Sequence, residues 1–416
     1  MIIRLSAIAG AATLLALAGC SPKSTEPPAP GIAGLPAPIS AEGDFGATLQ
    51  AALIAAQPGE TIMLPEGTFQ LSDGLSLDVS GVTLRGAGQE KTVLDFTGQE
   101  GAGEGLLVTS DDVTLMDFGV RNTKGDGIKS KGADRIIYRY LTVEWTGGPS
   151  ETNGAYGIYP VESEDVLVEN VTVRGASDAG VYVGQSKNII VRNSVAEFNV
   201  AGIEIENSMN ADVYGNVARD NTGGILVFDL PDLPVTGGNS TRIFDNEIIQ
   251  NNTPNFAPAG NIVASVPSGT GVIVMANRNV HVFDNNFADN RSAHVLLMSY
   301  SLPITDETYN PLPRDIVLKG NTYGAGGNDP QGDLAPLAAA LGGQLPPVVW
   351  DGVTAWGEGE AQTLNIAVNE APEVGFISLG IGRYPIDPAA IAPSPERPVA
   401  EAAAEPAAVV LAHSDR

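Results

Sequence analysis

The chain has 416 residues, with 22 Lys and Arg against 49 Asp and Glu, a formal net charge of −27 and a pI of about 4.3. No basic cluster stands out from this acidic background, which excludes recognition of nucleic acid through its phosphates. With 49 Gly and 6% aromatic residues, the composition suits many short strands and tight turns rather than long helices, and the acidic balance keeps an exported surface soluble.

The first twenty residues, MIIRLSAIAGAATLLALAGC, set one Arg ahead of an apolar run from Leu5 to Ala18. A bilayer-spanning helix needs about 20 apolar residues, so the shorter run of residues 1–20 reads as a secretory signal. It closes in LAGC, which resembles a bacterial lipoprotein processing box. That resemblance implies lipidation of Cys20 as the mature N-terminus, and Ser21 after it implies the outer membrane. Several acyl chains together make such an anchor stable. Cys20 is the only cysteine, so an intrachain disulfide is excluded. Residues 21–43 are Pro-rich and form a linker that lifts the body off the membrane. Next, FGATLQAALIAAQPGETIMLPEGTF (45–69) reads as a helix from about Thr48 to Ala56, a Pro-Gly turn and a first strand. A helix there seals the open end of a stack.

Between residues 44 and 330 the chain repeats itself. Glycines precede short apolar strands at Gly105, Gly127, Gly157, Gly180, Gly202, Gly224 and Gly271, with spacings of 22, 30, 23, 22, 22 and 47, and His294 follows 23 later. In GVYVG, GIEIE, GILVF and GVIVM the first and third residues after Gly are apolar, the period-2 mark of a strand with one buried face. Glycine at these corners is expected to supply a left-handed backbone. A second strand recurs in VRNSVAEFN, VYGNVARDN, IFDNEIIQN and VFDNNFADN, aligning Ser194, Asn216, Asn246 and Asn285, and then Asn199, Asn221, Asn251 and Asn290. Stacked amides bond along an axis, so both columns predict asparagine ladders. A unit of this length cannot bury its own core and must stack on its neighbours. The fold class is all-β: a single-stranded parallel β-helix, a solenoid with an N-terminal capping helix. About eleven coils at ~4.8 Å each make a rod of roughly 50 Å. A leucine-rich repeat would need a leucine pattern that is absent. SGVTLRGAG (80–88) resembles the opening segments of right-handed parallel β-helices, which implies the hand. Residues 331–388, with Trp350 and Trp356, read as a C-terminal cap, and the Pro/Ala/Glu-rich tail 389–416 as disordered.

The residues second and fourth after each glycine point outward. They run Lys129/Lys131, Tyr159/Val161, Tyr182/Gly184, Glu204/Glu206, Leu226/Phe228, Ile273/Met275 and Leu296/Met298. The face is polar and aromatic at one end and apolar at the other. The extra length of the 47-residue coil is expected to fold over Leu226, Phe228 and Ile273; otherwise the apolar end is a docking surface. The 30-residue coil inserts TGGPSETNG, so insertions flank a strip of Lys129, Tyr159, Tyr182, Glu204 and Glu206. Tyrosines stack on sugar C–H faces while carboxylates accept hydroxyl protons, so these five are the candidate substrate-binding residues. Glu204 and Glu206, about 7 Å apart along the strand, could divide acid and base roles or hold Ca²⁺; a Ca²⁺ site needs about six oxygens, and no compact ligand loop is evident. No cofactor is expected, and His281 and His294, on different coils, are not a metal pair. In a second outward column Glu169 is expected to pair with Arg192, and Tyr214, Phe244 and Phe283 to stack beneath a loop.

YGIYPVESED (156–165) resembles the catalytic strand of mannuronan C5-epimerases, a β-helix family whose fold pectate lyases share. Tyr156, Gly157, Ile158 and Pro160 match that strand, but Tyr159, Val161 and Glu162 stand where the family has Asp, His and Asp. The departure argues against epimerase chemistry at this strand, because valine neither takes nor returns a proton. YGIYPVES, GASDAGVYVGQS, VAGIEIENS, GGILVFDLP and GTGVIVMAN resemble more closely a family of bacterial β-helix repeat lipoproteins. With the Cys20 box and the tyrosine–carboxylate strip, the expectation is an exported monomer, lipid-anchored in the cell envelope, that binds a polysaccharide and modifies it if it is an enzyme at all. The alternative is a non-enzymatic envelope scaffold docking another secreted protein, such as a c-type cytochrome.

Overall fold

The computed structural model describes residues 35–101, 103–387 and 389–414. The signal segment, Cys20 and the linker as far as residue 34 lie outside the described residues. Among the described residues, no helix is long and apolar enough to cross a membrane.

Eleven strands, from Leu75–Leu77 to Phe376–Ser378, follow one another in chain order in a single parallel sheet. Each is one rung of the predicted stack. The other strands of the coils line up in a 19-stranded sheet, again parallel from coil to coil, apart from Val353–Trp356 and Gly382–Tyr384, which pair with each other in a sheet of two. Period-2 alternation sends Ile158, Val181, Val183, Ile203, Ile205, Ile225, Val227, Val272 and Val274 inward, where all are buried. Each such side chain withdrawn from water contributes about 1.5–3 kcal/mol, which is why register is held over so many coils.

The glycine column has a different cause from the one expected. Gly127, Gly157, Gly180, Gly202, Gly224 and Gly271 are absent from the left-handed region. A Cβ on Gly202 would instead lie 2.5 Å from the Gly224 carbonyl oxygen and 2.8 Å from Asn221 Nδ2. Successive rungs approach too closely for any side chain there. The left-handed corners fall on short polar residues such as Asn193, Asp245 and Asp284, with φ of 52°, 54° and 55°, which tolerate that conformation best after glycine.

Both ladders form. Asn216 Nδ2 donates to Asn246 Oδ1 at 3.0 Å, Asn246 to Asn285 at 2.9 Å and Asn285 to Asn321 at 2.9 Å, and Asn321 ends the column on Glu370 at 2.7 Å. Asn199, Asn221, Asn251 and Asn290 are linked in the same way at 3.0, 3.0 and 3.1 Å, and the column finishes at His294 Nδ1.

Helix α1 (Phe45–Ala55) begins three residues earlier than expected, because Asp44 caps it by accepting from the Ala47 N–H. Phe45, Leu49 and Leu53 close the first coil. At the other end, helix α2 (Leu334–Ala340) is followed by more of the solenoid. Val348–Trp350 pairs with the strand at 293–298, Phe376–Ser378 pairs with Val348–Trp350, and Ile366–Asn369 pairs with Arg314–Lys319. Rungs therefore continue through the segment read as a cap. The tail also differs from the expected disorder. Leu411 is buried against Ile137, Leu167 and Ile190, the Val409 N–H donates to Asp212 at 3.0 Å, and Glu405 pairs with Arg242 and Lys319. Its scattered apolar residues dock on the outer face of the 19-stranded sheet, where composition alone gave no partner.

Candidate functional site

Register brings the outward residues of the eleven-stranded sheet into files. Lys129 pairs with Tyr159, Tyr182 with Glu204, Glu204 with Leu226, and Gly184 with Glu206. All five predicted site residues therefore stand together on one face. The predicted open strip does not exist, however: Tyr182, Glu204 and Glu206 are only 5%, 1% and 7% exposed. Half-buried Lys129 and Tyr159 form the accessible end.

Three tyrosine rings meet here. Tyr156 lies 4.5 Å from Tyr159 and 4.5 Å from Tyr182 between centroids, and Tyr159 meets Tyr182 edge-on at 5.0 Å. The sequence reading missed Tyr156. Alternation counted back from Ile158 puts it inward, but that alternation breaks at Gly157 and the ring joins the outer face. Gly184 leaves room for Tyr182, since a Cβ there would come within 2.4 Å of the ring. The Tyr182 hydroxyl donates to Glu206 Oε1 at 2.6 Å.

Carboxyls surround the rings. Lys129 Nζ lies 3.2 Å from Glu104 and 3.6 Å from Asp126, and 4.7 Å from the Tyr159 ring centroid. Asp178 accepts from the Tyr156 hydroxyl at 3.5 Å and from Asn261 Nδ2 at 3.1 Å, which ties the long insertion across the site. Neither oxygen of Glu204 has a hydrogen-bond partner. Burial pushes Asp126 up to about 6, opposed by Lys129. Burial and then the Glu206 charge raise Asp178 to about 7, and burial raises Glu206 to about 7 against the Tyr182 hydrogen bond. Glu204 is driven well above the usual carboxylate range by burial, Asp178 and Glu206. Tyr159 rises to about 12, and Tyr156 and Tyr182 are also raised, in each case by burial first and neighbouring carboxylates second. The cluster therefore holds protons near neutral pH that ordinary carboxylates would have released. Asp126, Asp178, Glu104 and Asn261 were not legible as site residues, because none sits at the second or fourth place after a glycine. Glu162, the one carboxylate retained from the epimerase-like strand, is exposed and pairs with Lys131 at 3.6 Å. Val161 is buried. Among the described residues no group of three or more His, Cys, Asp or Glu could hold a metal ion.

The apolar end of the face is covered as expected. Leu226, Phe228 and Ile273 pack with Phe256, Ile262, Val263 and Val266 of the insertion, and further with Tyr309, Leu334 and Leu345. A cleft of about 550 Å³ remains beside them, between Leu230, Asn261, Ile262, Met275, Met298 and Tyr300. On the second column Glu169 pairs with Arg192 at 2.6 Å and also with Arg139. Tyr214, Phe244 and Phe283 stack at 4.8 and 5.0 Å.

Residues 80–237 match the family described as right handed beta helix region. Solved structures similar to the chain include two mannuronan C-5 epimerase A-modules of Azotobacter vinelandii. One is 19% identical, with 68% of this chain and 85% of that chain covered and a TM-score of 0.44. The other is 18% identical, with 79% and 96% covered and a TM-score of 0.47. An alginate lyase from Paenibacillus sp. is 19% identical, with 67% and 93% covered and a TM-score of 0.38. No curated protein matches. The stacked rungs give the chain a parallel β-helix fold, and the match over residues 80–237 agrees with the right-handed form of it.

Proposed function

We propose that this chain is an exported protein, lipidated at Cys20 and held on the outer membrane, which binds an extracellular polysaccharide at the Tyr156–Tyr159–Tyr182 cluster. One observation carries the reading: three tyrosine rings within 5.0 Å of one another, with Asp126, Asp178 and Glu206 around them. Aromatic faces take the apolar side of a sugar ring, and the carboxyls beside them take its hydroxyls. Lys129 and Tyr159, half-exposed, are the surface a chain would meet first, with Tyr182, Glu204 and Glu206 behind them. The reading needs no metal or cofactor. The apolar face expected for docking is covered by the chain's own insertion, which favours this reading over a scaffold that docks another secreted protein.

Screening the protein against an array of neutral, acidic and amino polysaccharides tests the site. Binding is expected, with Tyr159→Ala lowering affinity about tenfold through loss of one stacking surface. No binding to any polysaccharide, or full binding by the variant, would remove the assignment. Radiolabelled palmitate is expected to mark the wild type and not Cys20→Ala.

A further inference from the structure

The site contains two neighbouring cells of similar composition, and only one holds a cation. In the first, the Lys129 ammonium sits between Glu104 at 3.2 Å and Asp126 at 3.6 Å, and 4.7 Å from the Tyr159 ring centroid. The pattern there is an ammonium between two carboxylates and over a tyrosine. In the second, Asp178, Glu204 and Glu206 are grouped with Tyr156 and Tyr182, and none of the three carboxyls has an ion-pair partner among the described residues. Both Glu204 oxygens, at 1% exposure of the residue, are without a hydrogen-bond partner. An unsatisfied buried carboxyl costs about 1–3 kcal/mol or more, and nothing in the packing of the rungs calls for one at this position: the next places in the file are Leu226 and Ile273. The Asp178 carboxyl, 5% exposed, is covered by Asn261, whose amide at 3.1 Å is a neutral donor that an ammonium could replace.

Resting on the polysaccharide reading, we infer that the second cell receives the ammonium of a ligand, so that the polymer bound is built of hexosamine units with free amines. Asp178 accepts from the amine in place of Asn261, and the cell gives up protons to solvent as the ammonium enters, so that its carboxyls become the opposing charge. The tyrosines take the face of the sugar ring, which favours an amino sugar over a lysine side chain. A polyuronate meets the reverse situation: its carboxylates face Glu104, Asp126, Asp178, Glu204 and Glu206 with one lysine already engaged, and like charges at close range are rejected.

Titration calorimetry on the full-length protein in detergent tests this, using a glucosamine oligomer, its N-acetylated counterpart, an oligouronate and oligolysine of matched length. The glucosamine oligomer is expected to bind about tenfold more tightly than the N-acetylated one, the ratio one charge-assisted contact supplies. Asp178→Asn and, separately, Glu206→Gln are expected to bring the two sugars within about twofold, with a circular-dichroism melt showing that each variant folds. Equal binding of the two sugars, tighter binding of the oligouronate, or a preference that survives in both folded variants would overturn the inference while leaving polysaccharide binding intact. Oligolysine bound as tightly as the glucosamine oligomer would overturn the sugar assignment. If no oligosaccharide binds, the polysaccharide reading falls as well.

Discussion

Asn246 and Glu204 are both 1% exposed, in adjacent coils, and they are satisfied in opposite ways. Asn246 donates to Val213 O and Asn285 Oδ1 and accepts from Asn216 twice, so its amide is fully paired. Glu204 has no partner for either oxygen. A buried polar group is tolerated when each of its atoms is paired, and each ladder achieves this by repeating one residue at one place in four successive coils. The outer face has no such repetition. Its file passes from Lys129 through two tyrosines to Glu204 and then to leucine and isoleucine. Polar groups that repeat serve the stack; those that do not are where a ligand is to be sought.

The largest effect expected from this contrast is at the ladder. Asn251→Ala removes the acceptor for the Asn221 N–H at 3.3 Å and Nδ2 at 3.0 Å, and the donor to Ala218 O at 3.0 Å. Stranding these buried groups should cost about 2–4 kcal/mol, read as a lower guanidinium midpoint. A loss below about 0.5 kcal/mol would mean that the ladder is no more structural than the surface and would break the comparison.

The carboxyl cell should show itself in pH dependence. Glu206 and Asp178 are raised from 4.5 and 3.8 to about 7. Between those limits the folded chain holds protons that the unfolded chain has released. The stability they contribute is therefore present below about pH 4 and lost as pH rises through about 7. Glu206→Gln cannot titrate but still accepts from the Tyr182 hydroxyl, so its melting temperature should fall less than that of wild type between pH 5 and pH 8. The difference should be about 1–3 kcal/mol. Parallel curves for the two proteins would show that the cluster is not protonated in the fold.

Almost all of the architecture was readable from periodicity, because a solenoid writes its register into the sequence once per coil. The rungs that follow Gly105 through His294, both ladders, the aromatic stack of Tyr214, Phe244 and Phe283 and the cover over Leu226 follow from counting, whereas the rungs at Val348–Trp350 and Phe376–Ser378 lie in the segment read as a cap. The site was half readable. Lys129, Tyr159, Tyr182, Glu204 and Glu206 came from the same count, but their burial did not, since it depends on Asn261 reaching Asp178 from 83 residues away. Tyr156 and Asp178 stand outside the alternation that identified the others. The glycines were found for the wrong reason: their spacing was visible, but the close approach of the next rung's carbonyl was not.

The smallest effect expected concerns a third set of buried polar groups, whose pairing depends on the tail. Asp212 accepts from Arg242 at 3.2 Å and from the Val409 N–H at 3.0 Å, and Arg242 also meets Glu405 at 3.2 Å. Unlike the ladder, this group lies on the outside of the stack, and Leu411 packs with Ile137, Leu167 and Ile190 in a cluster separate from the main core. Leu411→Asp should therefore release the tail without loosening the coils. The global cost is limited to docking, about 1–2 kcal/mol for one buried leucine, and the half-exposed ion pairs of Glu405 add about 1 kcal/mol or less. Hydrogen exchange separates the two cases. The Val409 amide should lose protection while the Asn221 and Asn246 amides, bonded within the ladder at 3.3 and 3.1 Å, keep theirs. Loss of protection at the ladder in the same variant would mean that the tail is part of the core, and the division between repeating and unrepeated polar groups would have to include it.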